Sequence, residues 1–244
     1  NDLMMLDFDS FGIMCLKNSS YTSLKLADSM ITNTRGAGIT MSRASLHMNA
    51  CHMLNINGTA LSLDRDSTGT ITNCDITGNS KGVLVSNSSL LYILNSTLSG
   101  SETEDLDVRE DSVIELVNTV PFKYYIPPAD NGSKIWVKYF VSFVSVDEYS
   151  YRVPYTTVTL VEHVTSDVTL STNTFTTNDK GEINYVLATQ QEIISSGVLV
   201  HYYDITASKD GFSTGINQSI TFNNITRKIV VVVNDVTPPE ANAG

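Results

Sequence analysis

Through the first half of the chain one hydrophobic grammar returns every 22 or 23 residues. Met41, Leu63, Val85 and Val108 form one column. Leu26, Met48, Ile71, Ile93 and Leu116 form a second, and Ile31, Met53, Ile76 and Leu98 a third. A fixed period of this size marks a solenoid, because one repeat cannot bury its own apolar side chains and must stack on neighbours. The repeat is too short, and too rich in Ser, Thr, Asn and Val, for a pair of helices. Apolar residues inside it come two apart, as in Leu61/Leu63 and Val83/Val85, which is the period of a strand. The pattern predicts a parallel β-helix of five coils.

Smaller features carry expectations of their own. The step from Cys15 to Met41 is 26 residues, which predicts an insertion near Arg35-Gly36-Ala37-Gly38. Gly36, Gly38, Gly58, Gly78 and Gly82 recur where the chain must turn and are expected at positive φ. Asn73, Asn95 and Asn118 are expected as a buried amide ladder along the axis. Cys51 and Cys74 fall in the column Ser29, Cys51, Cys74, Ser96, Thr119. Rungs about 4.8 Å apart permit a disulfide between them, although two buried, reduced thiols are the plainer expectation.

The period stops at Val120-Pro121. Residues 122–133, with Pro127-Pro128 and Asp130-Asn131-Gly132, read as a linker. Strand-like runs follow at 135–146, 156–161, 168–177, 182–188, 198–208, 219–222 and 228–233. They predict an antiparallel β-sandwich over residues 134–234, and 235–244 read as an extended linker toward a following domain. The chain starts inside an apparent repeat, so residues 1–121 are expected to be the last coils of a longer solenoid. Any export signal then lies outside it. The fold class expected is all-β.

The unit Ile71-Thr72-Asn73-Cys74-Asp75-Ile76-Thr77-Gly78, continuing to Lys81-Gly82-Val83-Leu84-Val85, resembles the right-handed parallel β-helix repeats of large exported microbial proteins, including the NosD-like group. The second half looks like a transthyretin-like or carboxypeptidase-regulatory-like sandwich, through Thr176-Thr177-Asn178-Asp179-Lys180-Gly181 and Tyr203-Asp204-Ile205-Thr206. Asp235 to Gly244 is similar to the opening of a PKD domain. These resemblances imply an archaeal or bacterial cell-surface architecture and bring no catalytic residue with them.

A net charge of −11 argues against nucleic acid and anionic membranes, which need a basic footprint. No apolar run approaches the roughly 18 residues of a membrane span. Seven glycosylation sequons begin at Asn18, Asn57, Asn87, Asn95, Asn131, Asn217 and Asn224. They point to a secreted surface, or arise by accident in a Ser/Thr/Asn-rich chain. Glycoside hydrolysis needs two facing carboxylates. The outward column Met14, Thr40, Ser62, Leu84, Asp107 holds one acid. Glu102, Glu104, Asp105, Asp107, Glu110 and Asp111 cluster at the last coil, as a Ca²⁺ site or, more plainly, a solvated acidic edge. Lys17, Arg43 and Arg65 align as a ridge for an anionic glycan, with Asp64 and Asp66 as compensating charges. His47, His52, His163 and His201 show no metal spacing. Trp136 and the tyrosines at 139, 149, 151, 155, 202 and 203 are expected in the sandwich core or at its junction rather than on sugars.

These features predict a non-enzymatic extracellular cell-surface module, a structural stalk or adhesin, without a cofactor. Its expected partners are surface glycans or other surface proteins. The alternatives are a carbohydrate-binding or carbohydrate-active β-helix and a surface-layer assembly subunit.

Overall fold

The computed structural model describes residues 4–6, 11–16, 22–121, 123–165, 168–222 and 228–234. Among them every regular element is a strand. The chain divides into two compact units, Asn1–Lys138 with Gln191–Val198, and Tyr139–Gln190 with Leu199–Gly244.

The first unit is a parallel β-solenoid of three sheets. Sheet A stacks Met4–Leu6, Met30–Thr32, His52–Leu54, Asp75–Thr77 and Thr97–Ser99. Sheet B stacks Phe11–Leu16, Ala37–Ser42, Thr59–Asp64, Lys81–Val85, Leu106–Val108 and Tyr124–Tyr125. Sheet C stacks Thr22–Ala27, Ala44–Asn49, Thr68–Thr72, Leu90–Leu94, Val113–Val117 and the start of Lys134–Val146, and continues through Glu182–Ile194 to Gly197–Val200. The sequence columns are the register: Met41 pairs with Leu63, Leu63 with Val85 and Val85 with Val108. The other two columns run likewise through sheets C and A. Every residue named in the three columns is buried, so each lap covers the apolar edge of the one before it.

The corners are fixed by polar chemistry. Between sheets C and A one residue per lap (Asp28, Ala50, Asn73, Asn95, Asn118) sits at φ of 48° to 53°. Asn and Asp tolerate that left-handed region best among residues with a side chain. The asparagine column is therefore a backbone device on the surface, not a buried ladder: Asn73 and Asn95 are exposed, though Asn118 Nδ2 does donate to Asn95 Oδ1 at 2.9 Å. The buried ladder is the next column. The N–H of Cys51 donates to Cys74 Sγ (3.3 Å), that of Cys74 to Ser96 Oγ (3.1 Å) and that of Ser96 to Thr119 Oγ1 (3.0 Å). Cys51 and Cys74 are free thiols standing in for hydroxyls, and burial pushes the Cys74 thiol up to about 11. A second ladder, absent from the sequence reading, runs at the corner between sheets B and C. The N–H groups of Ala44, Ser67, Ser89 and Ser112 donate to Ser67, Ser89, Ser112 and Ser133 Oγ at 3.1 to 3.3 Å.

Several expectations are corrected. Cys15 pairs with Met41, 26 residues on, whereas Leu26 pairs with Met48, 22 on. The extra residues therefore fall between Leu16 and Thr22, outside the described residues, and not at 35–38. Of the five glycines named above only Gly78 has positive φ. Gly82 is needed for space instead, since a Cβ there would overlap the backbone oxygen of Asp105. The stretch 122–133 carries a strand, Tyr124–Tyr125, paired to Leu106–Val108. Lys134 to Lys138 pair parallel with Val113–Val117 as one more rung of sheet C, not as the first strand of a sandwich.

In the second unit sheet D is antiparallel, in the order Val168–Thr176, Thr157–Thr165, Tyr202–Ser208, Gly215–Ile220. Ser142 to Val146 pair parallel with Lys228–Val232, so this unit is not antiparallel throughout. Val158, Ile205, Ala207, Phe143 and Phe222 form its core, all fully buried, with the two phenylalanine rings edge-to-face at 6.3 Å.

Candidate functional site

The outward column of sheet B is in register as read, with Met14, Thr40, Ser62, Leu84 and Asp107 stacking one per lap. Tyr125 follows Asp107. An outward carboxylate is expected in water, yet the Asp107 side chain is 0% exposed. Arg109 grips both its oxygens, Nε to Oδ1 at 2.6 Å and Nη2 to Oδ2 at 2.7 Å. Lys81 Nζ reaches Oδ2 at 2.6 Å and lies 3.4 Å from Glu104. The paired carboxylate raises the pKa of Arg109 above its ordinary value, mainly through these hydrogen bonds and against burial. The guanidinium carbon also sits 5.5 Å from the Tyr125 ring centroid. With both oxygens held by cations, Asp107 is a fixed anchor for the two basic side chains. What this face offers a ligand is the two cations and the exposed ring of Tyr125.

The acidic cluster is thus not a uniformly solvated edge. Asp105 is buried as well. Its carboxylate accepts from the N–H of Ser101 at 3.1 Å and of Lys123 at 2.9 Å, closing the last coil. Glu102, Glu110 and Asp111 are exposed. Asp130, nearby in sequence, is held below the ordinary carboxylate range. Burial acts to raise it, but hydrogen bonds from Ser133, Glu110 and Gly132 outweigh that. Among the described residues no three His, Cys, Asp or Glu side chains are grouped to hold a metal ion.

Of the basic ridge, Lys17 lies outside the described residues. Arg43 and Arg65 are exposed on successive laps, both at positive φ, 52° and 53°. Arg65 Nε is 3.4 Å from Asp64 Oδ2, while Asp64 Oδ1 accepts from Asn87 Nδ2 at 2.5 Å and Ser86 Oγ at 3.1 Å. Of the two acids read beside the ridge, Asp64 lies against Arg65 and Asp66 is exposed. Among the sequons, Asn57, Asn87, Asn95 and Asn131 are exposed. The hydroxyls following Asn87 and Asn131, on Ser89 and Ser133, are locked in the serine ladder. Asn18, Asn224 and the Asn217 side chain lie outside the described residues. His47 is exposed, and His52 Nδ1 is 3.1 Å from Asp75.

The aromatic residues depart furthest from expectation. Trp136 belongs to the solenoid, where Lys134 and Lys138 lie 5.7 and 5.8 Å from its ring centroid. In the second unit Tyr139 and Tyr203 are buried, but Tyr149, Tyr151 and Tyr155 are 74%, 71% and 63% exposed. They ride on a loop pinned by Asp147, whose Oδ1 accepts from the N–H of Tyr149 and Tyr151 at 2.9 and 2.8 Å. Sequence reasoning missed a polar network centred on Glu162. His201 Nδ1 and Tyr203 Oη meet Glu162 Oε1 at 2.8 and 3.0 Å, and Ser171 Oγ donates to Oε2 at 2.7 Å. These partners, His201 foremost, hold Glu162 below the ordinary carboxylate range against burial. Burial, and then the Glu162 charge, raise the Tyr203 hydroxyl above its own. The four residues are scattered from 162 to 203 with no common period, so no sequence signal joins them.

Residues 7–119 match a family model described as a right handed beta helix region. No curated protein and no solved structure matches the chain. Among the described residues no helix is long and apolar enough to cross a membrane.

Proposed function

We propose that this chain is a non-enzymatic structural module of an extracellular cell-surface protein, of microbial and specifically archaeal type, serving as a stalk that carries an adhesive surface. The observation that carries this reading is the double side-chain ladder. At two of its three corners the coil is hydrogen-bonded to the next lap by side chains, in addition to the strand pairing. Stacked strands add about 4.8 Å per lap, and the ladders resist shear between laps. The second unit reads as a transthyretin-like or carboxypeptidase-regulatory-like sandwich, supported by the antiparallel order of sheet D and by a turn in which Asn178 Oδ1 accepts from the N–H of Lys180 and Glu182, both at 2.9 Å. Residues 235–244 read as the start of a PKD domain. Surface location is tested by protease shaving of intact source cells. Peptides from this chain are expected among those released, and recovery only after lysis overturns the location. Reducing ends released from acidic or neutral polysaccharides, above a heat-denatured control, overturn the non-enzymatic part.

A carbohydrate-binding role is the second reading, and the three exposed tyrosines on the Asp147 loop favour it. Tyrosines supply rigid, amphipathic stacking area at small entropic cost. On a glycan array the parent chain is expected to bind, and Tyr149→Ala/Tyr151→Ala to lose the signal. An unchanged signal removes the loop from the reading.

A further inference from the structure

The Val168–Thr176 strand forms one edge of sheet D, and seven of its nine residues are exposed, Ser171 and Phe175 being half-buried. From Val168 to Asn178 the sequence has no charge, no proline and no glycine, in a chain of net charge −11. Edges this long are normally blunted by Lys, Pro or a covering segment, because their free N–H and C=O groups invite another strand. The opposite edge of the sheet is approached by backbone, since a Cβ on Gly215 would overlap the carbonyl oxygen of Val232. Among the described residues no strand pairs with the Val168–Thr176 edge on its open side.

Backbone direction fixes which groups are open. The N–H of Thr177 bonds inward to Thr156 O at 2.9 Å. Successive residues face alternate sides, so Phe175 and Asn173 turn inward while Thr172, Thr174 and Thr176 turn their N–H and C=O to the open side. Pairing with the inner strand is regular from Ser171 to Thr176 and slips beyond it, between Glu162 and His163. Alongside the edge lies a groove of about 310 Å³ whose lining includes Leu160, Asn173, Phe175, Ile183, Leu187 and Tyr203.

We infer that this edge pairs with the same edge of a second copy, antiparallel about a two-fold axis through Thr174. Thr172 then meets Thr176 of the second copy, and Thr174 meets its own counterpart. Each such pair exchanges two hydrogen bonds. On the opposite face Asn173 meets Phe175 of the second copy, whose ring enters the groove. A second copy is the occupant that the edge specifies. Threonine on threonine is a favourable cross-strand pair, and two strongly acidic chains meet where neither carries charge. The contact is isologous and closes at a dimer. It stands whether or not the chain is a surface stalk.

The test is sedimentation of the full chain over a wide concentration range, together with Thr174→Lys and Thr174→Glu. Position 174 is exposed, and circular dichroism of each variant checks that it folds. The parent is expected to dimerise. Each variant is expected to dimerise at least about tenfold more weakly, because like charges then face one another across the axis. An equimolar mixture of the two variants is expected to recover the dimer by pairing Lys with Glu. A monomeric parent overturns the proposal. So does a dimer indifferent to both charges, or a mixture that stays as weak as its components.

Discussion

In the solenoid the same contact is made on every lap, whereas in the second unit each polar contact is made once. Cys74, Ser89 and Ser96 are interchangeable rungs. Each accepts a backbone N–H from a neighbouring lap, and a hydroxyl or a thiol will serve. Glu162 has no second instance. Its oxygens take three donors, from Ser171 and Tyr203 on two different strands and from His201 between strands, and losing it leaves all three without their acceptor. Repetition makes the solenoid tolerant of exchange at a rung and sensitive to volume in its core. The second unit has the opposite weakness, because its stability is concentrated in particular charges and hydroxyls.

The largest effect expected is in the solenoid core. Leu63 is fully buried between Met41 and Val85, and backbone pairing pins both neighbours, so the lining cannot collapse into a void. Leu63→Ala is expected to cost about 4 kcal/mol in urea denaturation, near the upper end for such truncations. A cost below about 2 kcal/mol would show that the coils close up, and would break the contrast with the second unit. Next comes Glu162→Gln, which keeps the shape but removes the charge that three donors face, at about 2 kcal/mol. The same group gives the second unit an acid sensitivity. Its folded pKa lies below the ordinary 4.5, so its stabilisation is complete above that value and is lost as pH falls through the depressed one. Thermal midpoints measured from neutral to acidic pH are expected to fall more steeply for the parent than for Glu162→Gln. Equal slopes would remove Glu162 as the source.

This contrast also explains what was legible. The three apolar columns, the outward column ending in Asp107, and Asp64 beside Arg65 were readable because a lap repeats its own register. Where the period ends, reading failed. Trp136 lies in the solenoid and not in the second unit because the rung Lys134 to Lys138 carries the sheet past the proline-rich stretch expected to end it. Asp107 looked solvated because nothing in its column announces that Arg109, two residues on, folds back to cover it. The serine ladder had a signal, Ser67, Ser89, Ser112 and Ser133 spaced by 22, 23 and 21 residues. It is visible only when polar columns are sought as deliberately as apolar ones. The Glu162 network had none.

A rung should matter less than a core leucine or the lone glutamate. Ser89→Ala leaves the buried N–H of Ser67 without its acceptor and is expected to cost about 1 kcal/mol. Cys74→Ser, which keeps an acceptor of the neighbouring type, is expected to be close to neutral by the same measurement. Because the Cys74 thiol is raised to about 11 from 9.0 by burial, the native chain should resist alkylation at pH 8. Stability is then lost only as pH climbs from about 9 through 11, where the unfolded thiol ionises first. Rapid native alkylation of Cys74 would show the laps parting there.

The smallest effect isolates the corner itself. Between sheets C and A the left-handed position is filled by Asp28, Asn73, Asn95 and Asn118, but on one lap by Ala50, at φ 51°. Alanine gains nothing in that conformation, and its Cβ crowds the following carbonyl, whereas asparagine adopts it readily. Ala50→Asn is expected to change no core contact, since Ala50 is only half-buried and is not among the buried core residues. Any gain in stability must therefore come from backbone preference alone. The expected gain is about 0.5 kcal/mol, typical of restoring a consensus residue, measured as a shift in urea midpoint at constant slope. A loss of stability would mean that the asparagine column is kept for side-chain contacts such as the Asn118–Asn95 pair. In that case the corners of the solenoid are specified by partners, as in the second unit, and not by the conformation each lap imposes.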